Sequence, residues 1–123
     1  MRETLLIGLV FLFFLLQTHA TTASEHVVGG NKGWDLYPEL YFWPDGKHFK
    51  AGDVLIFKYN NPLFHVEAVN ESQYINCNSE GQPKKIYSSG HDRVVLHKGL
   101  NYFICGGIDY CGYGMKIVVN ATE

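Results

Sequence analysis

Six short runs of β-branched and aromatic residues, none longer than seven, limit what this chain can build. They are His26–Val28, Asp53–Tyr59, Phe64–Val69, Asp92–His97, Tyr102–Cys105 and Met115–Val119. Glycines interrupt the chain between them, and Pro44-Asp45-Gly46 and Ala51-Gly52-Asp53 read as turns. Within Asp53–Tyr59, Val54 and Ile56 point one way while Leu55, Phe57 and Tyr59 point the other. Both faces are therefore apolar, as in a buried strand. No stretch carries a long amphipathic helical period, and Gln73–Asn78 has room for a single helical turn at most. Short strands separated by regular turn signals indicate an all-β sandwich or barrel. With 123 residues there is enough chain for one domain, and Trp34, Trp43, the Phe residues and several of the Tyr residues are its expected core.

The first two dozen residues do not belong to that domain. Arg2 is followed by the apolar run Leu5–Leu16 and then by small and polar residues through Ser24. That order is the pattern of a secretory signal peptide, and the run is too short for a membrane span. The expected organisation is a signal peptide over 1–23, cleaved after Ala20 or Ala23, and a domain over 24–123. The end Lys116–Glu123 adds no second hydrophobic tail, so neither a transmembrane nor a lipid anchor is expected. Arg2 and Glu3 cancel, leaving the formal charge of −2 on the domain. No basic stripe is present, which argues against a nucleic-acid partner. The pair Lys84-Lys85 reads as a solvated turn. Asn70-Glu71-Ser72 and Asn120-Ala121-Thr122 are sequons, so Asn70 and Asn120 are candidate glycosylation sites.

An extracellular chain keeps its disulfides. Three cysteines, Cys77, Cys105 and Cys111, allow one bridge in any of three pairings and leave one thiol. Cys105 and Cys111 are too far apart for a C-x-x-C redox pair. A cysteine hydrolase needs a His base and an orienting partner, and a chain of this size offers little room for a substrate cleft. No enzymatic activity is expected. Structural zinc asks for four closely spaced Cys/His ligands, whereas the histidines here are scattered, with His91 and His97 expected on surface turns or strand faces. Blue copper asks for two His, one Cys thiolate and a weak axial Met. Cys105 at a strand end, Met115 at the start of the next strand and His65 from a distant strand suit three of those places.

The stretches V-V-G-G-N-K-G-W (Val27–Trp34), W-P-D-G-K-H-F-K-A-G-D-V-L-I-F-K-Y-N (Trp43–Asn60) and Y-S-S-G-H-D-R-V-V-L-H-K-G-L-N-Y-F-I-C (Tyr87–Cys105) resemble the phytocyanins. These are plant extracellular cupredoxins, and the plantacyanin or basic blue protein branch is the most similar. The resemblance spans essentially the whole domain. It implies a Greek-key β-sandwich, a Cys77–Cys111 disulfide, a monomer secreted to the apoplast or cell wall, and a copper site that carries one electron to a redox partner. By the resemblance, His65, Cys105 and Met115 are metal ligands.

The chain departs from the family pattern at both histidine positions. The family's second His directly precedes the disulfide cysteine, and here that position is Tyr110. A phenol titrates near pH ~10 and makes a poor ligand at neutral pH. His65 is followed by Val66-Glu67 where the family commonly has Asn-Val, and the stretch to Cys77 is one residue shorter. The net charge of −2 also lacks the basic character that names the branch. Two readings follow. In one, His65, Cys105 and Met115 form a residual site that favours Cu(I), because the sulfur ligands are soft. In the other, the site takes no copper, and the fold serves as an early-nodulin-like adhesion or signalling module that binds a cell-wall component.

Overall fold

A computed structural model of the chain describes residues 22–107 and 109–123. The signal-peptide expectation falls on residues 1–21 and lies outside the described residues. Among the described residues, eight strands form two sheets: β1 (Glu25–Val27), β2 (Phe49–Lys50), β3 (Val54–Lys58), β4 (Val66–Val69), β5 (Lys85–Tyr87), β6 (His91–Val95), β7 (Gly99–Ile104) and β8 (Lys116–Thr122). One sheet runs β1-β3-β6 and the other β2-β8-β7-β4-β5. β1 lies parallel to β3 and β2 parallel to β8; the remaining pairs are antiparallel.

Alternation explains how the sheets close on each other. Leu55 and Phe57 of β3 and Val94 of β6 face Val66, Phe103, Ile117 and Val119 of the larger sheet in one buried cluster. The rings of Phe57 and Phe103 meet across the gap with centroids 5.2 Å apart. Trp34, 1% exposed, packs edge-on against Phe57 and closes the end of the sandwich nearest His65. The second face of β3 is also covered, since Ile56 is 6% exposed. The all-β expectation therefore holds, and both proposed turns are turns, with Gly46 and Gly52 at φ of 75° and 93°.

Three local expectations need correction. Lys85 is not in a turn: it opens β5 and pairs with Ala68, while the preceding Lys84 donates to the Ser79 carbonyl at 2.7 Å. β2 and β5 were not apparent in the sequence, because each is a two- or three-residue edge strand whose outer groups need no apolar run. The helical turn begins earlier than Gln73 and makes the six-residue helix α1 (Glu71–Asn76). Its start is set by a capping box, in which Asn70 Oδ1 accepts from Gln73 N and Asn70 N donates to Gln73 Oε1, both at 2.8 Å. Cys77 ends the helix in a left-handed conformation at φ 50° and is bonded to Cys111.

Two buried carboxylates fasten the edges of the smaller sheet. Asp92 accepts from Tyr59 Oη at 2.5 Å and from Ser89 N at 3.1 Å. Burial and that carboxylate push the Tyr59 phenol up to about 12. Asp53, 2% exposed, accepts from Ser24 N and Lys50 N at 3.0 Å and pairs with His26 Nε2 at 2.9 Å. Burial pushes the Asp53 pKa up, but the bonds from His26, Ser24 and Lys50 outweigh it and hold the carboxyl below its ordinary value. A depressed acid stabilises the fold above its unfolded pKa, and that contribution is lost as pH falls through the folded value. Asp53→Ala leaves three donors without their acceptor and is expected to cost about 1–3 kcal/mol. Urea unfolding at neutral pH measures the cost, and the gap from the parent should narrow as the pH falls below about 4.

Candidate metal centre

The three residues expected from sequence lie on three elements at one end of the sandwich. His65 precedes β4, Cys105 follows β7 and Met115 precedes β8. Trp34 Nε1 donates to the His65 carbonyl at 3.0 Å, which anchors the backbone of that residue to the core. The loop from Cys105 to Met115 is closed by two backbone bonds: Cys105 N donates to Met115 O at 3.0 Å, and Met115 N to Tyr110 O at 2.9 Å. The Cys77–Cys111 bridge holds the same loop to the end of α1. Cys105 and Met115 are both fully buried and share one cluster with Phe64, against which Tyr110 packs. The Tyr110 ring meets Phe64 edge-on at 5.1 Å, so the phenol serves as an aromatic plug in this loop.

The state of each donor follows from its surroundings. Burial pushes the Cys105 thiol up; the backbone N–H of His65 works against this, and the charge of Glu67 adds to it. Since the thiolate is the form that binds metal, burial here favours the protonated, non-ligating form. His65 Nε2 lies 3.2 Å from Glu67 Oε2. Glu67 is 3% exposed, and its other oxygen accepts from Ser79 Oγ at 2.8 Å. One imidazole nitrogen is thus engaged by an internal carboxylate that is itself anchored to the segment after α1. Among the described residues, no three His, Cys, Asp or Glu gather into a group that could hold a metal ion. One imidazole, one thiol, one thioether and one phenol do not match the two-imidazole set of blue copper.

Glu67, Ser79 and Gly106 are the residues of this site whose contacts the sequence did not show. Alternation along an extended chain puts His65 and Glu67 on one face, which was the available signal. Gly106 is required by the carboxylate: a Cβ there would sit 1.5 Å from Glu67 Oε2 and 3.0 Å from His65 Nε2. Gly106→Ala must therefore displace a buried charged group. It is expected to destabilise the fold by about 1–3 kcal/mol, readable as a lower urea midpoint, and Glu67→Ala in the same chain should recover part of the loss.

Comparisons with known proteins agree with this architecture. A family model described as a plastocyanin-like domain matches residues 34–115. The basic blue protein of Cucumis sativus is 46% identical over 98 residues, covering 80% of this chain and 99% of that protein. The chemocyanin of Lilium longiflorum is 37% identical over 121 residues, covering 98% and 94%. Among solved structures, the cucumber basic protein, a blue copper protein, superposes with a TM-score of 0.73 at 44% identity, covering 80% of this chain and 99% of that one. Cucumber stellacyanin superposes with a TM-score of 0.72 at 28% identity, covering 83% and 98%. With two sheets in the cupredoxin arrangement, one disulfide and matches along nearly its whole domain, the chain belongs to the phytocyanin family of blue copper proteins and lies close to the plantacyanins.

Proposed function

We propose that this protein is a secreted phytocyanin whose family activity, one-electron transfer, is impaired because its copper site lacks one imidazole. The observation that carries this reading is Tyr110, held against Phe64 in the loop between Cys105 and Met115. The pairing of His65 Nε2 with Glu67 Oε2 supports it from the other side of the site. His65, Cys105 and Met115 remain as residual donors, and their two sulfurs favour Cu(I) over Cu(II). The protein acts outside the cell, in the apoplast or cell wall, as a monomer without catalytic activity, and its partner is a redox protein or a wall component. Among the described residues no helix is long and apolar enough to cross a membrane. Asn70 and Asn120, both exposed, are the proposed glycan sites. The test is competition for Cu(I) against a chelator of known affinity. Tyr110→His should bind Cu(I) more tightly than the parent, and equal binding by the two would count against the missing imidazole as the cause.

A second reading has its own observation. A cleft of about 660 Å³ is lined by Asn31, Lys58, Tyr59, Asn60, Asn61 and His91, a surface of amides and hydrogen-bonding groups suited to a sugar. The chain is also 37% identical over 105 residues to early nodulin-like protein 22 of Arabidopsis thaliana. On this reading the fold is a non-copper adhesion or signalling module that binds cell-wall carbohydrate. Binding of wall oligosaccharides, lost on Asn60→Ala and unaffected by copper, would favour it.

A further inference from the structure

We propose that the chain is processed at the Ala23–Ser24 bond and that the new α-ammonium group of Ser24 forms an ion pair with buried Asp53, completing the fold. The inference rests on the secretion reading above, and goes beyond it in choosing between the two candidate bonds and in the use made of the new terminus. Hydrolysis by a signal-peptide endoprotease adds one water across the bond, leaving a carboxylate on Ala23 and an amine on Ser24, which is protonated at neutral pH.

The geometry points to this bond. Ser24 is where the chain becomes committed to the sheet: its N–H donates to Asp53 Oδ1 at 3.0 Å, and its carbonyl accepts from Val54 N at 2.9 Å. β1 follows at once, with Glu25 opposite Val54. Thr22 and Ala23, just upstream, are exposed. Ala23 and Thr21 supply the small residues that a signal-peptide cleavage site asks for at the bond and two places before it.

Asp53 explains why the terminus matters. Its carboxylate is 2% exposed, and the groups that face it are His26 on β1, the backbone N–H of Lys50 at the end of β2, and Ser24 N. A buried carboxylate is costly unless it is paired and hydrogen-bonded. In the uncleaved chain Ser24 contributes a neutral amide donor. After cleavage the same nitrogen carries a positive charge at the same place, and a charge-assisted hydrogen bond is roughly twice as strong as a neutral one. The leader therefore withholds one half of an ion pair, and its removal supplies it.

The test has two parts. Intact-mass measurement of the protein secreted by plant cells is expected to show a chain beginning at Ser24. A chain beginning at Thr21 would overturn the inference while leaving secretion intact, and an uncleaved chain would overturn both. The second part does not depend on secretion. Chains that begin at Ser24 are prepared with a free amine and with an acetylated amine, and unfolded in urea at about pH 6.5, where the α-amine is charged. The free-amine chain is expected to have a folded-to-unfolded ratio about tenfold higher, and the two should converge in the Asp53→Asn background. Equal urea midpoints for the free and acetylated chains would overturn the ion pair. The acetylated chain keeps every side chain, so this comparison stands even where Asp53→Asn fails to fold.

Discussion

Replacing both Cys77 and Cys111 with serine is expected to lower stability by about 4 kcal/mol, the chain-entropy value for a bridge that closes a loop of this size. The two cysteines are 34 residues apart in sequence. A domain of roughly 100 residues has only about 5–15 kcal/mol of net stability, so the loss is a large share of the total. The effect should be local as well as global. The bridge ties the end of α1 to the loop that runs from Cys105 to Met115, and around it Tyr74, Ile104 and Cys111 form a small buried cluster of their own. Without the bridge, that loop is held by its backbone bonds and by the contact of Tyr110 with Phe64. Cys105 is fully buried in the intact protein and should be unreactive towards a thiol reagent until the protein unfolds. In the double-serine variant it should react within the native baseline. A urea midpoint equal to that of the parent, or a Cys105 that stays inert until global unfolding, would show that the sandwich positions this loop unaided.

The second large effect concerns metal affinity. Tyr110→His returns an imidazole to the loop beside Cys105, and Glu67→Asn frees His65 Nε2 from the carboxylate that now engages it. Changes in groups that orient metal ligands typically alter affinity by about 10–100-fold. Tyr110→His alone should gain less than the pair, because His65 stays engaged by Glu67 and the Glu67 charge still opposes ionisation of the Cys105 thiol. The two changes act on one site and are expected to be non-additive, with the double variant binding copper roughly 100-fold or more tighter than the parent. Competition against a chelator measures each step. If Glu67→Asn gives no gain in the Tyr110→His background, then Glu67 is a structural acid that does not interfere with the metal donors.

The large features of the fold were legible because they rest on local alternation. β8 carries its buried residues at every second position, so Ile117 and Val119 declare the core face directly, while β3, apolar on both faces, declares itself a covered strand through Leu55, Ile56 and Phe57. β2 and β5 were not legible, because an edge strand of two or three residues is stabilised by its neighbour and not by its own pattern. The start of α1 was written as Asn70-x-x-Gln73, a short capping signal that is easily passed over beside a sequon sharing the same asparagine. At the candidate centre, the order Cys105, Tyr110, Cys111, Met115 along one loop carried most of the assignment. The closure of Glu67 by Ser79 could not be read the same way, since those residues are twelve apart in sequence and meet only because the turn after α1 folds back on β4. Gly106 was equally silent: its role depends on where a side chain from another strand ends.

The claim that this phytocyanin has an impaired copper site is tested most directly by colour. Purified protein is loaded anaerobically with Cu(I), oxidised, and its visible spectrum recorded beside that of the Tyr110→His, Glu67→Asn double variant. The parent is predicted to show no intense blue charge-transfer band, while the double variant develops one. An intense blue band in the parent, at one copper per chain, would contradict the account.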